Sequence, residues 1–364
     1  MNKIEELIEK LCPNGVPYIN LQEVAEIGTG RSDRKEAVEN GVYPFYVRSQ
    51  DILRINKYEF DEVAIVIPGE GRIGEIFHYV VGKYALHQRA YRIHVIDNRL
   101  NAKYLYYYMS SMFKDFITKK AVTATVTSIR KPMIEAFSVA VPPLEIQREI
   151  VYILDKFTAL LAELKAELKA RKKQYAYYRE HLLTFGDEIP RKTLNEITNN
   201  ISSGKNKERV KNGKYPVYGS TGIISLTNNA IYEKEQILIA RVGANAGYVH
   251  IASGKYDVSD NALIVDLIQD MNMKYIYYQL SNMNLHQYAK CGGQPLITAR
   301  EIKEILIPIP SIKKQNEIVE ILDKLDKLCN SLCEGIPAEI EARQKQYEYY
   351  RDKLLTFKEL VIDK

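Results

Sequence analysis

The sequence predicts an α+β protein in which two similar mixed-β domains are joined by long helices. The helices are expected to pair as an antiparallel coiled coil, with pseudo-twofold symmetry. Three observations support this prediction: a direct repeat of about 170 residues, a seam of apolar side chains at the end of each copy, and short β-rich runs between the seams. A length of 364 residues suits two such domains with connecting helices.

The repeat is clearest at the helical ends of the two copies. QREIVYILDK at 147–156 recurs as QNEIVEILDK at 315–324, and QYAYYREHLLTF at 174–185 recurs as QYEYYRDKLLTF at 346–357. The offset between the copies is larger for the second motif than for the first by four residues. The chain is therefore two copies of one unit, whose helical ends are alike and whose globular parts have diverged.

Five segments are expected along the chain. They are an N-terminal helix at 1–15, a first globular domain at 16–141, a spacer helix at 142–186, a second globular domain at 187–310 and a C-terminal helix at 311–364. Prolines at the end of each globular part stop its last strand just before the long helix begins.

Each globular part is expected to be mixed β with one helix. Runs rich in β-branched residues at 63–67, 237–240 and 262–267 are separated by glycines, which is typical of short strands and turns. A tyrosine-rich helix is predicted to follow in each copy, at about 101–119 and 272–289.

The spacer should be one long helix. No glycine or proline occurs between Pro143 and Gly186, and apolar residues recur there at alternating spacings of four and three, interrupted at Arg171. About 40 helical residues would form a rod of roughly 60 Å. The second copy repeats the seam, but Gly335 and Pro337 leave open whether its helix breaks there.

Two equal seams in one chain would most simply pack against each other, although each could instead pack on its own domain. The seam residues expected to form the coiled coil or to dock a partner are Leu154, Phe157, Leu161, Leu164, Leu168, Tyr175 and Tyr178 in the first copy, and Leu322, Leu325, Tyr347 and Tyr350 in the second.

Composition is that of an ordinary globular protein, with 46% apolar and 27% charged residues. No stretch approaches the roughly 18 apolar residues that a membrane-spanning helix needs. The charged start of the chain lacks the apolar core of a signal peptide, so a cytoplasmic protein is expected. The net charge of +5 is modest and does not by itself indicate a nucleic-acid partner.

No motif in the sequence supports catalysis. The segment Ser203–Asn206 lacks the upstream glycine and the hydroxyl after the lysine that a P-loop requires. The six histidines show no metal-ligand spacing, and the four cysteines contain no C-x-x-C pair and are expected to be buried free thiols. We therefore expect this chain to hold no catalytic residue, no metal ion and no cofactor.

Polar clusters in the loops of the globular parts are the candidate DNA-binding residues, because Arg, Lys, Asn and Gln contact phosphates and base edges. A solvated loop is the alternative for each cluster taken alone. Matching positions in the two copies favour function, since Arg31 and Lys205 each follow a glycine that the repeat aligns. The candidates are Arg31, Arg34, Lys35, Arg48, Gln50, Arg72, Gln88 and Arg89 in the first domain, and Lys205, Asn206, Lys207, Arg209, Arg241, Asn245 and Asn261 in the second.

The whole pattern resembles the specificity (S) subunit of type I restriction–modification systems over nearly the full chain. The first domain departs from the family's glycine motif with PGEGRIG at 68–74. The motifs that carry the resemblance are LCPNGV at 11–16, VPPLEIQREI at 141–150, PIPSIKKQNEI at 308–318, both LLTF helix ends, and RVGANAG at 241–247 followed by SDNAL at 259–263.

The resemblance implies two target recognition domains, each of which reads one half of a split, asymmetric site in double-stranded DNA. It also implies that the helices set the gap between the half-sites and dock methyltransferase (M) subunits, two of them, with restriction (R) subunits joining later. The catalytic residues and the sites for S-adenosylmethionine, ATP and Mg²⁺ would lie on those partners.

Two other functions stay open from the sequence. One is the recognition subunit of a related bipartite-cutting system with fused nuclease and methyltransferase partners, which would have nearly the same sequence. The other is a helical scaffold or interaction protein without DNA contact. The scaffold can be distinguished by salt, because DNA binding weakens steeply with ionic strength.

Overall fold

The computed structural model describes residues 2–120, 128–207, 210, 212–290, 294–331 and 333–360. Two compact units divide the chain: the first comprises Met1–Leu164 with Ile340–Lys364, and the second comprises Lys165–Glu339. Each unit contains one globular domain and part of the long helices.

The helices and strands are numbered in chain order. From the N-terminus to the end of the long spacer helix they are α1 (Asn2–Leu11), β1 (Tyr18–Asn20), α2 (Leu21–Val24), β2 (Ala25–Thr29), β3 (Tyr43–Tyr46), β4 (Leu53–Ile55), β5 (Phe60–Pro68), β6 (His78–Leu86), β7 (Ala90–Val95), α3 (Ala102–Lys120), α4 (Lys131–Glu135), β8 (Ser138–Ala140) and α5 (Leu144–Leu183). They continue with β9 (Arg191–Thr193), β10 (Thr198–Ser203), β11 (Tyr215–Gly219), β12 (Gly222–Thr227), β13 (Gln236–Ala240), β14 (Val249–Ala252), β15 (Asp257–Val258), β16 (Ala262–Leu267), α6 (Met273–Asn282), α7 (Ala299–Lys303), β17 (Leu306–Pro308), α8 (Ile312–Asn330) and α9 (Ile336–Leu355).

The domain of the first unit is built on a six-stranded sheet in the order β2-β7-β5-β6-β3-β4. Its pairs are antiparallel except for β3 with β6, which is parallel. The predicted run at 63–67 lies in β5, where Ile65 and Ile67 pack into the main core with Phe113 of α3. Val66 packs into a second small core on the other face, which explains why this run is apolar without alternation.

The domain of the second unit divides the equivalent strands between two sheets, in the orders β10-β16-β13-β14 and β12-β11-β15. The whole of β13 is buried: Ile237 and Ile239 pack with Ile276 of α6, and Leu238 packs into the smaller core on the other face. The predicted β-rich runs at 237–240 and 262–267 therefore form the centre of this domain.

One carboxylate attaches each domain to its long helix. In the first unit, Asp155 of α5 accepts hydrogen bonds from Tyr107 Oη at 2.6 Å and Lys103 Nζ at 3.0 Å, both from α3. This aspartate belongs to the repeated ILDK motif, so the motif marks where each domain contacts its helix. In the second unit, Asp323 accepts the equivalent hydrogen bonds from Tyr278 Oη at 2.7 Å and Lys274 Nζ at 2.6 Å.

The first part of α5 pairs with α9 inside the first unit. The ring of Phe157 stacks on that of Tyr350 with a centroid separation of 5.7 Å. Helix α1 forms ion pairs both with Glu149 of α5 and with Lys353 of α9, so these two residues lie at the same level. The contact between Phe157 and Tyr350 lies eight residues later in α5 than Glu149 but three residues earlier in α9 than Lys353. The two helices are therefore antiparallel.

The last part of α5 pairs with α8 inside the second unit. The Tyr175 hydroxyl bonds Asp326, and burial together with this carboxylate raises the pKa of Tyr175. Lys172, almost one turn earlier in α5, lies near Cys329, three residues later in α8. This pairing is therefore antiparallel as well, as the two seams predict.

The C-terminal segment is two helices rather than one, because α8 ends at Asn330 and α9 begins at Ile336. Gly335 is buried where a Cβ atom would lie 2.5 Å from the carbonyl oxygen of Lys327, and Pro337 is tolerated in the first turn of α9. The four extra residues of the second copy thus form a break and do not lengthen the rod. The predicted helix at 272–289 is also too long, since α6 ends at Asn282 and a 3₁₀ turn, Leu285–Tyr288, follows.

One seam residue does not pack inside its unit. Tyr178 is 38% exposed, whereas Tyr175 and Leu183 are buried against the second unit's core. A straight helix has 3.6 residues per turn, so its packed face drifts away from a spacing of 3.5, which leaves Tyr178 at the margin of that face. Of the other seam residues, Leu154, Leu161, Leu164 and Leu322 are buried, and Phe157, Leu168, Leu325, Tyr347 and Tyr350 are partly buried.

The cysteine prediction is wrong for Cys333, which is exposed in the break between α8 and α9, while Cys12 and Cys329 are buried free thiols. Cys291 lies outside the described residues. None of the helices in the described part of the chain combines the length and the apolar character that crossing a bilayer requires.

Candidate nucleic-acid interface

Four loops of the first unit, 30–35, 47–52, 69–72 and 87–89, meet in what we name the first loop cluster. Backbone hydrogen bonds hold them together: His87 N donates to Tyr46 O at 2.9 Å, and Gly69 N donates to Arg89 O at 2.9 Å. Loop 30–35 is joined to the cluster through Ser32. The N–H of Ser32 donates to the carbonyl oxygen of Leu86, and the carbonyl oxygen of Ser32 accepts from Gln88 N. Residues far apart in sequence are thereby brought onto one surface.

Glu70 joins the two arginines of this cluster. Its Oε2 atom accepts from Arg89 Nη1 at 3.1 Å and from Arg48 Nη1 at 2.7 Å. The hydrogen bond from Arg89 and the charges of both guanidinium groups lower the pKa of Glu70, so the carboxylate is charged at neutral pH. Arg48 and Arg89 remain 44% and 57% exposed, so their other N–H donors are open to a ligand.

All eight predicted residues of the first domain are exposed. Arg34 and Lys35 lie on a 3₁₀ turn capped by Asp33, and Gln88 Nε2 donates to Asp33 Oδ2 at 3.4 Å. Arg72 is paired with Glu75 in its own loop at 3.0 Å. The structure thus brings together Arg31, Arg34, Lys35, Arg48, Gln50, Gln88 and Arg89, with Arg72 in the adjoining loop.

The second unit builds an equivalent surface, the second loop cluster, from loops 204–207, 219–222, 241–247 and 259–261. Ser259 N donates to Tyr218 O at 2.8 Å, and Arg241 N donates to Asn261 O at 2.9 Å. Asn206 N bonds the carbonyl oxygen of Val258 at 3.0 Å. These are the same backbone bonds as in the first cluster, made by residues 172 positions later, except that the donor Asn206 stands 174 positions after its counterpart Ser32.

A glycine begins each cluster for the same steric reason. A Cβ atom on Gly30 would lie 1.8 Å from the carbonyl oxygen of Leu86, and one on Gly204 would lie 2.2 Å from that of Val258. Only glycine permits this approach, which places Arg31 and Lys205 at matching points of the two surfaces. The sequence alignment of these two residues is therefore a structural equivalence.

The side chains of the second cluster are less free than those of the first. The amide of Asn206 donates to Asp257 Oδ2 at 2.7 Å, and Arg241 Nη1 donates to the carbonyl oxygen of Asp260 at 3.3 Å. Asn261 is half-buried, whereas Lys205, Lys207 and Asn245 are exposed. Arg209 lies outside the described residues.

A tyrosine–histidine pair lies beneath each cluster, buried in the first unit and half-buried in the second. The rings of Tyr46 and His78 are 5.1 Å apart, and those of Tyr218 and His250 are 5.8 Å apart. Burial lowers the pKa of both histidines, to about 4 for His250, so both rings are neutral at neutral pH. The positive charge of each surface therefore comes from its loops.

Sequence reasoning missed two parts of these surfaces: Glu70 and the β11–β12 hairpin at 219–222. The hairpin can be predicted from the match between Tyr43–Tyr46 and Tyr215–Tyr218, because this match aligns the residues that follow in the two copies. The surfaces offer cations and amides that suit phosphates and base edges. Among the described residues, no group of His, Cys, Asp and Glu is arranged to hold a metal ion.

The family model described as the type I restriction modification DNA specificity domain matches this chain twice, at residues 13–171 and 191–342. The chain is 40% identical over 294 residues to the specificity subunit of the Escherichia coli type I restriction enzyme EcoR124I/EcoR124II, covering 72% of each chain. It is 35% identical over 252 residues to the EcoprrI specificity subunit of the same species, covering 64% of this chain and 63% of that one.

Solved structures share the fold. The S subunit of a type I system from M. genitalium superposes with a TM-score of 0.66 at 18% identity, over 94% of this chain and 96% of the other. The HsdS subunit from Thermoanaerobacter tengcongensis gives a TM-score of 0.51 at 13% identity, over 95% and 97%. The predicted α+β class, with a repeated mixed domain and long helices, is confirmed.

Proposed function

Because the chain belongs to the type I restriction–modification DNA specificity family, we propose that it selects the DNA site for a complex of that type. Each of its two domains reads one half of a split site in double-stranded DNA. The observation that supports this proposal is the pair of loop clusters, which share one backbone frame but present different side chains. Two different readers on one frame suit an asymmetric site.

The two clusters contact DNA through the exposed cations and amides of their loops. Lys and Arg neutralise phosphates and set the register, while Arg, Gln and Asn read base edges in the major groove. Within the first cluster, Arg48 and Arg89 share Glu70, and this carboxylate repels phosphates, which favours base edges as the partners of the two guanidinium groups. The reading domains extend over 16–141 and 187–310.

The remaining segments, 1–15, 142–186 and 311–364, hold the reading domains and dock two M subunits, with R subunits joining later. Most of the predicted seam side chains are used inside each unit, so the docking surface is the outer side of the helices. Tyr177 and Tyr349 occupy matching positions of the repeat and are 62% and 63% exposed. Two matching exposed tyrosines support two equivalent docking positions.

This chain performs no catalysis in the proposed complex. The M and R partners provide the catalytic residues and bind S-adenosylmethionine, ATP and Mg²⁺, while this chain positions them on the DNA. The complex acts on DNA in the cytoplasm.

A domain exchange tests the proposal. Residues 187–310 are replaced by the equivalent domain of another S subunit, the chain is co-expressed with its M partner, and the methylated motif is read by methylation-sensitive sequencing. One half of the motif should change and the other should stay the same.

The reciprocal exchange of residues 16–141 is the matched control, and it should change only the opposite half. A change of both halves in either exchange would show that the domains are not independent readers.

A further inference from the structure

The connection between β11 and β12 is a two-residue hairpin tip made of Ser220 and Thr221. Gly219 pairs with Gly222 on either side of it, so the two hydroxyl residues stand alone at the turn. Thr221 is exposed, and Ile223, which follows Gly222, is 60% exposed. Small polar side chains beside an exposed apolar one form a surface without charge.

This tip lies at the second loop cluster. The carbonyl oxygen of Tyr218 accepts the N–H of Ser259, and a Cβ atom on Gly219 would lie 3.1 Å from Ser259 Oγ. Asn206 forms a parallel bridge with the same Ser259. The tip therefore adjoins the loop that carries Lys205.

The first unit has an equivalent hairpin with different residues and a longer connection. Tyr43 pairs with Ile55 as Tyr215 pairs with Thr227, so the segments between these pairs, 44–54 and 216–226, have equal length, although β3 and β4 are joined by the six residues 47–52. Arg48 thus stands where Ser220 stands in the second unit.

The ion-pair partner changes together with the arginine. Glu70, which binds Arg48, follows Gly69, whose N–H donates to Arg89 O. The equivalent bond in the second unit is donated by Arg241, so the residue at the place of Glu70 is Val242. The second unit has replaced both members of the charged pair by uncharged residues.

We infer that the Ser220–Thr221 tip is a base-reading element for the second half-site, and that it reads through hydroxyl and methyl groups where the first domain uses a guanidinium group. Hydroxyls donate to or accept from any base, and the methyl groups of Thr221 and Ile223 suit the methyl group of thymine. An arginine at the same place would favour guanine. The inference rests on the proposed function and extends it to one structural element.

The test uses the chain in complex with its M partner. The double variant Ser220→Ala with Thr221→Ala removes both hydroxyls and keeps a sequence compatible with the turn. One or two positions of the second half of the methylated motif should become degenerate, with discrimination lowered roughly 5- to 100-fold in competition binding, while the first half is unchanged.

Ser253→Ala is the matched control. This exposed serine follows the end of β14, which pairs with the start of β13, whereas a loop of the cluster follows the end of β13. Its motif should equal that of the parent chain.

A gain-of-preference variant completes the experiment. Ser220→Arg combined with Val242→Glu transfers the charged pair of the first domain, and it should create a guanine preference at one position of the second half. An unchanged motif in both this variant and the double alanine variant overturns the inference. Loss of binding at both halves also overturns it, because the tip would then serve folding.

Arg241→Ala separates the two proposals. If Arg241→Ala alters the second half while the tip variants do not, only the hairpin inference fails. If none of these variants alters the second half, the proposed reading surface fails as well.

Discussion

Residues at matching places of the two loop clusters differ in charge and in how firmly they are held. Arg89 of the first unit corresponds to Asn261 of the second, and Gly69 corresponds to Arg241, as the backbone hydrogen bonds show. Because these backbone hydrogen bonds are the same in both clusters, the side chains contribute to any difference in the DNA that the two domains read.

Arg241→Ala and Lys205→Ala should each weaken reading of the second half-site. Loss of a base contact costs about 1–3 kcal/mol, whereas loss of a phosphate contact weakens all sequences alike and reduces the salt dependence. Competition binding of the complex to DNA with either half altered measures both effects.

Lys255→Ala serves as the control, since this exposed lysine is paired with Glu233 and neither residue belongs to a loop of the cluster. Equal binding by all three variants and the parent would place the reading surface elsewhere in the domain.

His250 should make the second unit sensitive to acid. Within the described part of the chain neither of its ring nitrogens has a hydrogen-bond partner, and burial lowers its pKa from 6.5 to about 4. The unfolded chain therefore takes up a proton first, so stability falls as the pH drops from 6.5 to about 4, by about 3 kcal/mol at most.

His250→Phe retains an aromatic ring between Tyr218 and Tyr248 and removes the titration. Urea unfolding at pH 7.5 and pH 5 should show a smaller loss for this variant than for the parent, while the exposed His181→Gln behaves like the parent. An identical pH dependence of His250→Phe and parent would contradict the predicted protonation.

Helix α5 is the element that joins the two domains in sequence, and its middle is the part least used in packing. Residues 165–170 are exposed except for the partly buried Leu168. The parts on either side pack against α9 in the first unit and α8 in the second. Length can therefore be added here with little loss of buried contacts.

Inserting Lys-Ala-Glu-Leu after Leu168 should lengthen the unread gap of the DNA site by one or two base pairs. Four residues repeat the local Ala-Glu-Leu spacing and add about 6 Å of helix, with a rotation of about 40° beyond a full turn. At ~3.4 Å per base pair this is more than one pair. Methylome sequencing reads the gap directly.

Both half-sites should stay unchanged in that insertion mutant. A two-residue insertion is the control, because it rotates the helix by about 200° and should abolish methylation. Methylation of the original motif with its original gap by the four-residue mutant would rule out a ruler.

As a whole molecule, the chain should neither methylate nor cut DNA by itself. The proposed function assigns DNA reading to this chain and catalysis to its M and R partners. Transfer of a labelled methyl group from S-adenosylmethionine should be absent for the purified chain and present once the M partner is added. Methyl transfer by the chain free of partner would contradict the assignment of catalysis to other subunits.

Much of this architecture follows from the sequence because its signals are local or periodic. The repeat, the long spacer helix, the strand at 63–67 and the glycines at 30 and 204 are all visible in residue order. Apolar spacing and the absence of glycine and proline are properties of neighbouring residues, so they report helices and strands directly. The basic and amide residues of the loops are also clustered along the chain, so they are visible in the sequence as well.

Tertiary structure alone decided which side chains pair and where the seams end. Glu70 joins Arg48 and Arg89 across loops that are distant in sequence, Asn206 turns to Asp257, and Tyr178 faces solvent. Such contacts depend on how strands from different parts of the chain come together, and spacing along the chain does not encode them. The sequence by itself therefore determined the kind of molecule and its two candidate reading surfaces, and the fold determined which groups on those surfaces are free to bind.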